Sequence, residues 1–135
     1  MPAGGERIFQ SGAKITMVGL DVTEQCRLTD DEATELVSGD DPWKVFLQEE
    51  LRRFREQFSF APVLHDPLTL LSMLENDICE YQQMDIQVET RGTMTRGVTV
   101  NCRFSENKRI RVAVRVNAKA AVHSICRMVQ GKQLA

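Results

Sequence analysis

A histidine and an aspartate stand side by side near the middle of the chain, in the run Leu64-His65-Asp66-Pro67. Imidazole takes up and releases protons near neutral pH, so His65 is a candidate acid or base in catalysis. The carboxylate of Asp66 is a suitable ligand for a hard cation. The pair therefore predicts a site that combines proton transfer with a bound metal ion.

Asp66 has a second interpretation, because aspartate followed by proline is also a typical helix start. Its carboxylate could bond the free N–H groups of a first turn while Pro67 occupies the first helical position. Capping leaves one carboxylate oxygen for a cation, so both interpretations stay open. A metal site of this kind needs further carboxylates, and no segment before His65 clearly supplies them.

Other chemistry-bearing residues give weaker signals. Asp21 follows an apolar run and could bind a ligand or bond the amides of the next turn, so we leave it out of the site. His123 falls in an amphipathic segment near the end of the chain and is interpreted as structural. The sequence contains no glycine-rich phosphate loop, no Ser-His-Asp order and no H-E-x-x-H motif.

The first elements indicate a parallel sheet. Residues 6–11 are typical of the last turns of a helix that stops at Gly12. The run from Lys14 to Leu20 has no clean alternation, so we predict a strand buried on both faces, as in parallel sheets covered by helices. Only thirteen residues precede this run, too few for a βα unit. We therefore expect a missing N-terminal segment or a partner polypeptide to supply the rest of the sheet.

The middle of the chain is predicted to be helical. Thr29 and Glu32 have the spacing of a capping box, and this helix should end near Gly39. Asp41-Pro42 should start a longer helix. Its apolar residues recur at helical spacing and should form one face, made by Trp43, Phe46, Leu47, Leu51, Phe54 and Phe58. A third helix should begin at Asp66-Pro67.

The last part of the chain changes to strand patterns. Residues 85–89, 97–102 and 109–116 alternate or are β-branched, and turn-forming residues separate them. In the last of these the even positions are apolar and the odd ones mostly basic, so one face should be buried. Asn117 should cap a final helix that runs to about Gln130 and stops at Gly131. We therefore expect a single partial domain, residues 1–135, of the α/β class.

Composition sets further limits. The chain of 135 residues has a net charge of −2, but residues 1–90 carry −11 and residues 91–135 carry +9. We interpret the basic part as a sheet face against an acidic layer or partner; a nucleic-acid site would interleave aromatic residues with the basic ones. No apolar run is long enough to cross a bilayer, and no secretory signal is visible. Four scattered cysteines without a C-x-x-C pair favour reduced thiols in a cytoplasmic protein over zinc or disulfides.

Three segments, taken in order, resemble the inosine–uridine preferring nucleoside hydrolases. They are Ile15-Thr16-Met17-Val18-Gly19-Leu20-Asp21-Val22-Thr23, His65-Asp66-Pro67-Leu68 and Thr95-Arg96-Gly97-Val98-Thr99-Val100. The resemblance implies the C-terminal part of an α/β fold with a mainly parallel sheet. It also implies a calcium-dependent enzyme that cleaves the N-glycosidic bond of ribonucleosides in purine and pyrimidine salvage.

The resemblance assigns roles to a few residues. Asp66 matches a calcium-ligating aspartate, and His65 matches a histidine near the leaving base that is a candidate proton donor. Phe54 and Phe58 fall where the family has a mobile helix over the base, although they are equally good core residues. The family's D-x-D-x-G-x-D-D cluster supplies the main calcium ligands and the aspartate that activates water. It has no counterpart in this sequence.

Two hypotheses follow for the function. In the first, the chain is a hydrolase segment that supplies His65 and Asp66 but is inactive without the missing carboxylates. In the second, it is a non-catalytic module that associates with itself or with a partner through unpaired sheet edges. The expected ligands are a ribonucleoside and calcium. The expected assembly is a homo-oligomer or a complex with the missing N-terminal segment. We expect the chain to bind neither membranes nor nucleic acid.

Overall fold

The computed structural model describes residues 2–131, which form six helices and five strands. The helices are α1 (Pro2–Gln10), α2 (Leu20–Thr23), α3 (Asp30–Leu36), α4 (Pro42–Gln57), α5 (His65–Leu74) and α6 (Ala118–Val129). The strands are β1 (Thr16–Met17), β2 (Cys79–Met84), β3 (Ile86–Val88), β4 (Thr99–Asn101) and β5 (Ile110–Val116). This is the expected mixed α/β class. None of the helices in these residues is both long and apolar enough to span a bilayer.

The chain divides into two compact units, which we describe separately. The first contains the described residues up to 19 together with residues 80–115, and the second contains residues 20–79 and the described residues from 116 onwards. Most of the strands fall in the first unit, whereas α2 to α6 fall in the second. The predicted His65-Asp66 site therefore belongs to the helical unit.

The first unit is built on two small sheets. One has the strand order β1-β5-β2, and the other pairs β3 with β4. β1 runs parallel to β5, with Thr16 opposite Arg111, which confirms the predicted parallel arrangement. β3 and β4 are antiparallel. A small core joins these elements to α1 and consists of Ile86, Ile110 and Val112 with Phe9, Ile15, Met17 and Met84 around them.

The first strand differs from its prediction. Only Thr16 and Met17 form a strand, the first exposed and the second half-buried, and α2 already begins at Leu20. The prediction of a long strand buried on both faces was therefore wrong. The physical reason is its place in the sheet: among the described residues β1 is an edge strand with β5 as its one neighbour, so no strand pairs with its other edge.

The alternation predicted for β5 holds at its start and fails in its middle. Ile110 and Val112 are buried, but Ala113 is buried as well. The basic face is held by its sheet neighbour β2: the Arg111 guanidinium lies 3.5 Å from the centroid of the Tyr81 ring, and Arg115 pairs with Glu80 at 3.7 Å. β2 itself was not predicted, because its sequence Cys-Glu-Tyr-Gln-Gln-Met is largely polar and lacks alternation.

The helix signals of the second unit are mostly confirmed. Thr29 and Glu32 form the predicted capping box before α3. Pro42 opens α4, with Asp41 at the cap position, although the Asp41 carboxylate pairs with Lys44 at 3.1 Å instead of bonding the helix N–H groups. Asn117 caps α6 by accepting the N–H of Ala120, and Gly131 beyond its end has a φ of 72°.

The long helix α4 is not buried as its apolar periodicity predicted. None of its residues is buried, and Phe46 is 63% exposed and Trp43 43% exposed. Polar contacts hold it instead: Gln48 donates to the carbonyls of Val37 and Gly39, and Arg55 donates to Asp30 and Thr34. Within the part of the chain that is described, the predicted apolar face of α4 has no layer that covers it.

Candidate functional site

The predicted His65-Asp66 site lies at the first turn of α5. The helix begins at His65, two residues before the predicted first helical residue Pro67, and Leu64 occupies the cap position without a side-chain cap bond. Asp66 is therefore the second helical residue, and the interpretation of Asp66 as the N-cap was wrong. Pro67 remains in the first turn, where its missing N–H costs no helical hydrogen bond.

A short backbone pairing explains this early start. Residues 26–28 run antiparallel to residues 62–64: Arg27 bridges Val63, the N–H of Leu28 donates to Pro62, and the N–H of Leu64 donates to Cys26. Leu64 is buried at the end of this pairing. The chain is thus fixed just before His65, and the helix follows at once.

The His65 ring is held by a residue from a distant part of the sequence. Its Nδ1 lies 2.7 Å from the hydroxyl oxygen of Thr23, at the C-terminal end of α2. The same hydroxyl oxygen lies 3.3 Å from the carbonyl oxygen of Leu20. Thr23 is buried, with 4% of its surface exposed, whereas His65 is exposed. An accessible imidazole with one anchored nitrogen has the geometry that a proton donor or acceptor needs.

The Asp66 carboxylate is exposed and makes no hydrogen bond or ion pair with the described residues. It borders an apolar cleft between α5 and α6, whose walls are Pro67, Leu70, Leu71, Ile125, Met128 and Val129. A free carboxylate in the first turn of a helix can bind a cation with both of its oxygens. The structure therefore leaves Asp66 available for the predicted ligand role.

The described residues do not complete a metal site around Asp66. Nowhere between residues 2 and 131 do three or more His, Cys, Asp or Glu side chains converge in a way that could hold a metal ion. Asp66 fits calcium as one carboxylate ligand, but a stable cage takes about 6–8 oxygens. Asp21, the other carboxylate considered, lies in α2 with its backbone carbonyl bonded to Gln25 at 2.9 Å.

The two phenylalanines predicted to contact the substrate base form a small aromatic cluster of their own. The ring centroids of Phe54 and Phe58 are 4.7 Å apart, and Phe60 packs on both at 5.8 and 5.5 Å. Phe58 and Phe60 border an open cleft together with Asp30, Asp31, Thr34 and Arg55. This cleft is not the one that Asp66 borders, so the described residues do not gather Phe58 and Asp66 around one cavity.

The remaining candidate residues stay outside the site. His123 lies exposed on α6 beside a cleft that Glu32 and Glu35 also border. All four cysteines are free thiols. Burial raises the pKa of the Cys126 thiol, and the charges of Glu32 and Glu35 raise it further. Burial likewise raises the pKa of Cys26, with a smaller contribution from Cys79. Neither thiol is therefore activated as a nucleophile.

Thr23 is the residue of the candidate site that sequence reasoning missed. Forty-two positions separate it from His65, and no local pattern marks a threonine at the end of a four-residue helix as the partner of a distant histidine. The available signal was the motif Leu20-Asp21-Val22-Thr23, which the family resemblance included without assigning it a role.

In comparisons with known proteins, the chain is similar to several proteins whose names describe nucleoside-cleaving enzymes. The pyrimidine-specific ribonucleoside hydrolase RihA of Shewanella woodyi is 32% identical over 110 residues, which are 76% of this chain and 35% of the relative. Uridine nucleosidase 1 of Arabidopsis thaliana is 28% identical over 96 residues, 67% of this chain and 29% of the relative. The solved structure of the purine-preferring ribonucleoside hydrolase from Gardnerella vaginalis matches with a TM-score of 0.83 at 27% identity and covers 96% of this chain and 44% of that chain.

The chain thus spans about a third of the length of the curated relatives it matches, with 35% of the first of them covered. The profile of the inosine-uridine preferring nucleoside hydrolases matches residues 2–123, which is most of the sequence. The fold, the order of the motifs and the sequence match all indicate the same family. The chain belongs to the inosine-uridine preferring nucleoside hydrolase family.

Proposed function

We propose that this chain contributes His65 and Asp66 to a site that hydrolyses the N-glycosidic bond of ribonucleosides. In this proposal His65 donates a proton to the departing base and Asp66 binds calcium. The observation that carries the proposal is the first turn of α5, where an imidazole anchored by Thr23 stands next to a carboxylate that is bonded by no other residue between 2 and 131. The hydrolase relatives support it, since their names cover pyrimidine-specific and purine-preferring enzymes.

The ribose and water would be held by calcium when the ion is bound. This chain's own part is to offer one carboxylate, that of Asp66, and to hold a proton on His65. Because the described residues offer no further carboxylates around Asp66, we propose that the remaining ligands come from another polypeptide segment and that the chain alone is inactive.

Phe54 and Phe58 are the proposed contacts for the base. In the structure the two rings pack on each other and on Phe60. The proposed contact with the base therefore requires α4 to move. The absence of buried residues in α4 supports such a movement, since little apolar area would be lost. The four free thiols support a reducing compartment, and we propose the cytoplasm.

A fusion experiment tests the proposal. The N-terminal part of the Shewanella woodyi relative is joined to this chain, and turnover of uridine and inosine is measured with and without calcium. We expect the fusion to be active and this chain alone to be inactive with either nucleoside. Turnover by the chain alone would refute its proposed dependence on other ligands, and a folded fusion without turnover would refute the contribution of the site.

Substitutions in the fusion assign the roles. Asp66→Asn should weaken calcium binding and lower kcat/KM by at least about 10-fold, which is the lower end of the effects seen when metal-site residues change. His65→Ala should lower kcat by about 10²–10⁴-fold. The matched controls are Asp77→Asn and His123→Ala, two exposed residues elsewhere in the second unit, and they should leave both constants unchanged.

A second candidate function is self-association without catalysis. Several large apolar side chains of the helical unit are exposed, including Phe46 at 63%, Leu70 at 56% and Met73 at 76%. Patches of this kind mark association surfaces when they are contiguous. Size-exclusion chromatography with light scattering tests this candidate function. Self-association is supported if the chain forms an oligomer and if Phe46→Ser or Met73→Ser dissociates that oligomer. A chain that stays monomeric at high concentration refutes it.

A further inference from the structure

A buried threonine lies within hydrogen-bond distance of the imidazole ring of the candidate site. Thr23 is one of two polar residues that are buried in the described part of the chain, and its hydroxyl contacts His65 across 42 positions of sequence. We propose that Thr23 is a positioning residue that holds the His65 ring in one rotamer and in one neutral tautomer, with the proton on Nε2. The catalytic role of this hydrogen bond rests on the proposed function, whereas the contact between Thr23 and His65 is independent of it.

The direction of the hydrogen bond follows from the surroundings of the hydroxyl. Thr23 has one O–H proton, which could go to the carbonyl oxygen of Leu20 at 3.3 Å or to Nδ1 of His65 at 2.7 Å. The carbonyl of Leu20 already accepts the N–H of Glu24 at 2.9 Å. The shorter distance is typical of a hydroxyl donor, and the longer one is at the limit of such bonds. We therefore assign Thr23 as the donor and Nδ1 as the acceptor.

This assignment determines where the ring proton lies. A neutral imidazole carries one N–H, and the nitrogen that accepts a hydrogen bond is the unprotonated one. With Nδ1 accepting from Thr23, the proton must lie on Nε2. A neutral Nε2–H can donate to a departing base as negative charge develops on it, so the proton that His65 gives up in the proposed function is the one on Nε2.

Threonine suits this position better than a freely rotating hydroxyl would. Its β-branched side chain has restricted rotation about χ1. Its burial beside Val22, which is fully buried, restricts it further. A rigid donor limits the ring of an otherwise exposed histidine, so the entropy of ordering His65 is already lost in the free protein.

The test uses nuclear magnetic resonance on the intact chain with ¹⁵N-labelled histidine, at an alkaline pH where imidazole is neutral. Long-range proton–nitrogen correlations report which ring nitrogen is protonated, and side-chain couplings report rotamer averaging. We expect His65 to show a protonated Nε2, an unprotonated Nδ1 and one rotamer. His123, which is exposed and has no bond to any described residue, should show averaged signals in the same spectrum.

Three variants separate positioning from general structural effects. Thr23→Val should shift the His65 signals toward those of His123, and Thr23→Ser should restore them. Thr69→Val is the matched control, because the Thr69 hydroxyl bonds the backbone carbonyl of His65 at 3.2 Å and not the ring. It should leave the ring signals unchanged.

Several outcomes would overturn the inference: a wild-type His65 with its proton on Nδ1, a wild-type His65 averaged like His123, or ring signals that Thr23→Val leaves in place. The first two need no variant, so a Thr23→Val protein that fails to fold does not remove the test. No nucleoside is required. A failure of the fusion to turn over substrate and a failure of this inference are therefore distinguishable.

Discussion

The backbone N–H of Leu64 donates to the carbonyl of Cys26 at 2.9 Å, and this bond fixes the chain immediately before the His65-Asp66 pair. Both residues are buried, with Leu64 8% exposed and Cys26 fully buried. The site is therefore placed by a contact between two segments that are far apart in sequence. The same pairing brings α2, which carries Thr23, and α5, which carries His65, close to each other.

Removing the Leu64 side chain should destabilise the helical unit. We expect Leu64→Ala to lower the free energy of unfolding by about 2–5 kcal/mol, because a buried leucine loses both its transfer energy and its packing contacts. Leu70→Ala in α5, the helix that follows Leu64, is the control, since Leu70 is 56% exposed, and it should change stability by no more than about 0.5 kcal/mol. Urea denaturation measures both, and equal effects would contradict the burial of Leu64.

The capping box of α3 should make stability depend on acid pH. The backbone N–H of Thr29 bonds the Glu32 carboxylate at 2.7 Å and, as the largest cause, lowers the pKa of Glu32 below its ordinary 4.5. A carboxyl with a lowered pKa in the folded state stabilises that state above the unfolded pKa. This contribution should be lost as the pH falls from about 4.5 through the lower folded value.

Glu32→Gln provides the comparison for this acid dependence. Glutamine can keep the capping box and does not titrate. We expect the difference in unfolding free energy between wild type and Glu32→Gln to shrink as the pH falls below about 4.5, and to remain under about 1 kcal/mol because Glu32 is only half-buried and water screens its interactions. A difference that is constant across this range would show that the carboxylate is not bonded as described.

The attachment of α4 should depend on Arg55. Its guanidinium donates to the backbone carbonyl of Asp30 at 3.0 Å and to the hydroxyl of Thr34 at 3.1 Å. Because no residue of α4 is buried, loss of these bonds, worth about 0.5–1.5 kcal/mol each, should raise amide hydrogen exchange in α4. We expect Arg55→Ala to show this increase by mass spectrometry.

Arg53→Ala is the control for the Arg55 prediction. Arg53 pairs with Glu49 and Glu50 inside α4 and makes no hydrogen bond or ion pair with the described residues of α3. Its removal should affect exchange in α4 far less, since exposed pairs within a helix are worth about 0.3–0.5 kcal/mol. Similar exchange in the two variants would mean that α4 is held by something other than Arg55.

The contact between Arg111 and Tyr81 should show a measurable coupling energy. The guanidinium carbon lies 3.5 Å from the ring centroid, which is within the range of cation–π interactions. A double-mutant cycle with Arg111→Met and Tyr81→Leu should give a coupling of about 0.5–1 kcal/mol in favour of the native pair. A coupling near zero in urea denaturation would mean that the contact between the guanidinium and the ring does not stabilise the pairing of β5 with β2.

Local signals in the sequence predicted several features correctly because the interactions behind them span only a few residues. The Thr29–Glu32 capping box, the start of α4 at Pro42 and the stops at Gly12 and Gly131 each depend on neighbouring atoms. The prediction of a parallel strand pair also holds. The length and burial of β1 could not be predicted, because they depend on whether a second strand lies beside it.

The sequence by itself determined the family, the order of the main helices and the pairing of His65 with Asp66. Only the tertiary structure decided that α5 begins at His65, that Thr23 bonds its ring and that Phe58 and Asp66 border different clefts. The reason is that caps and periodicity act within one or two turns, whereas the geometry of the site depends on where distant segments return in space. Residues 26–28 and 62–64 are those segments in this protein.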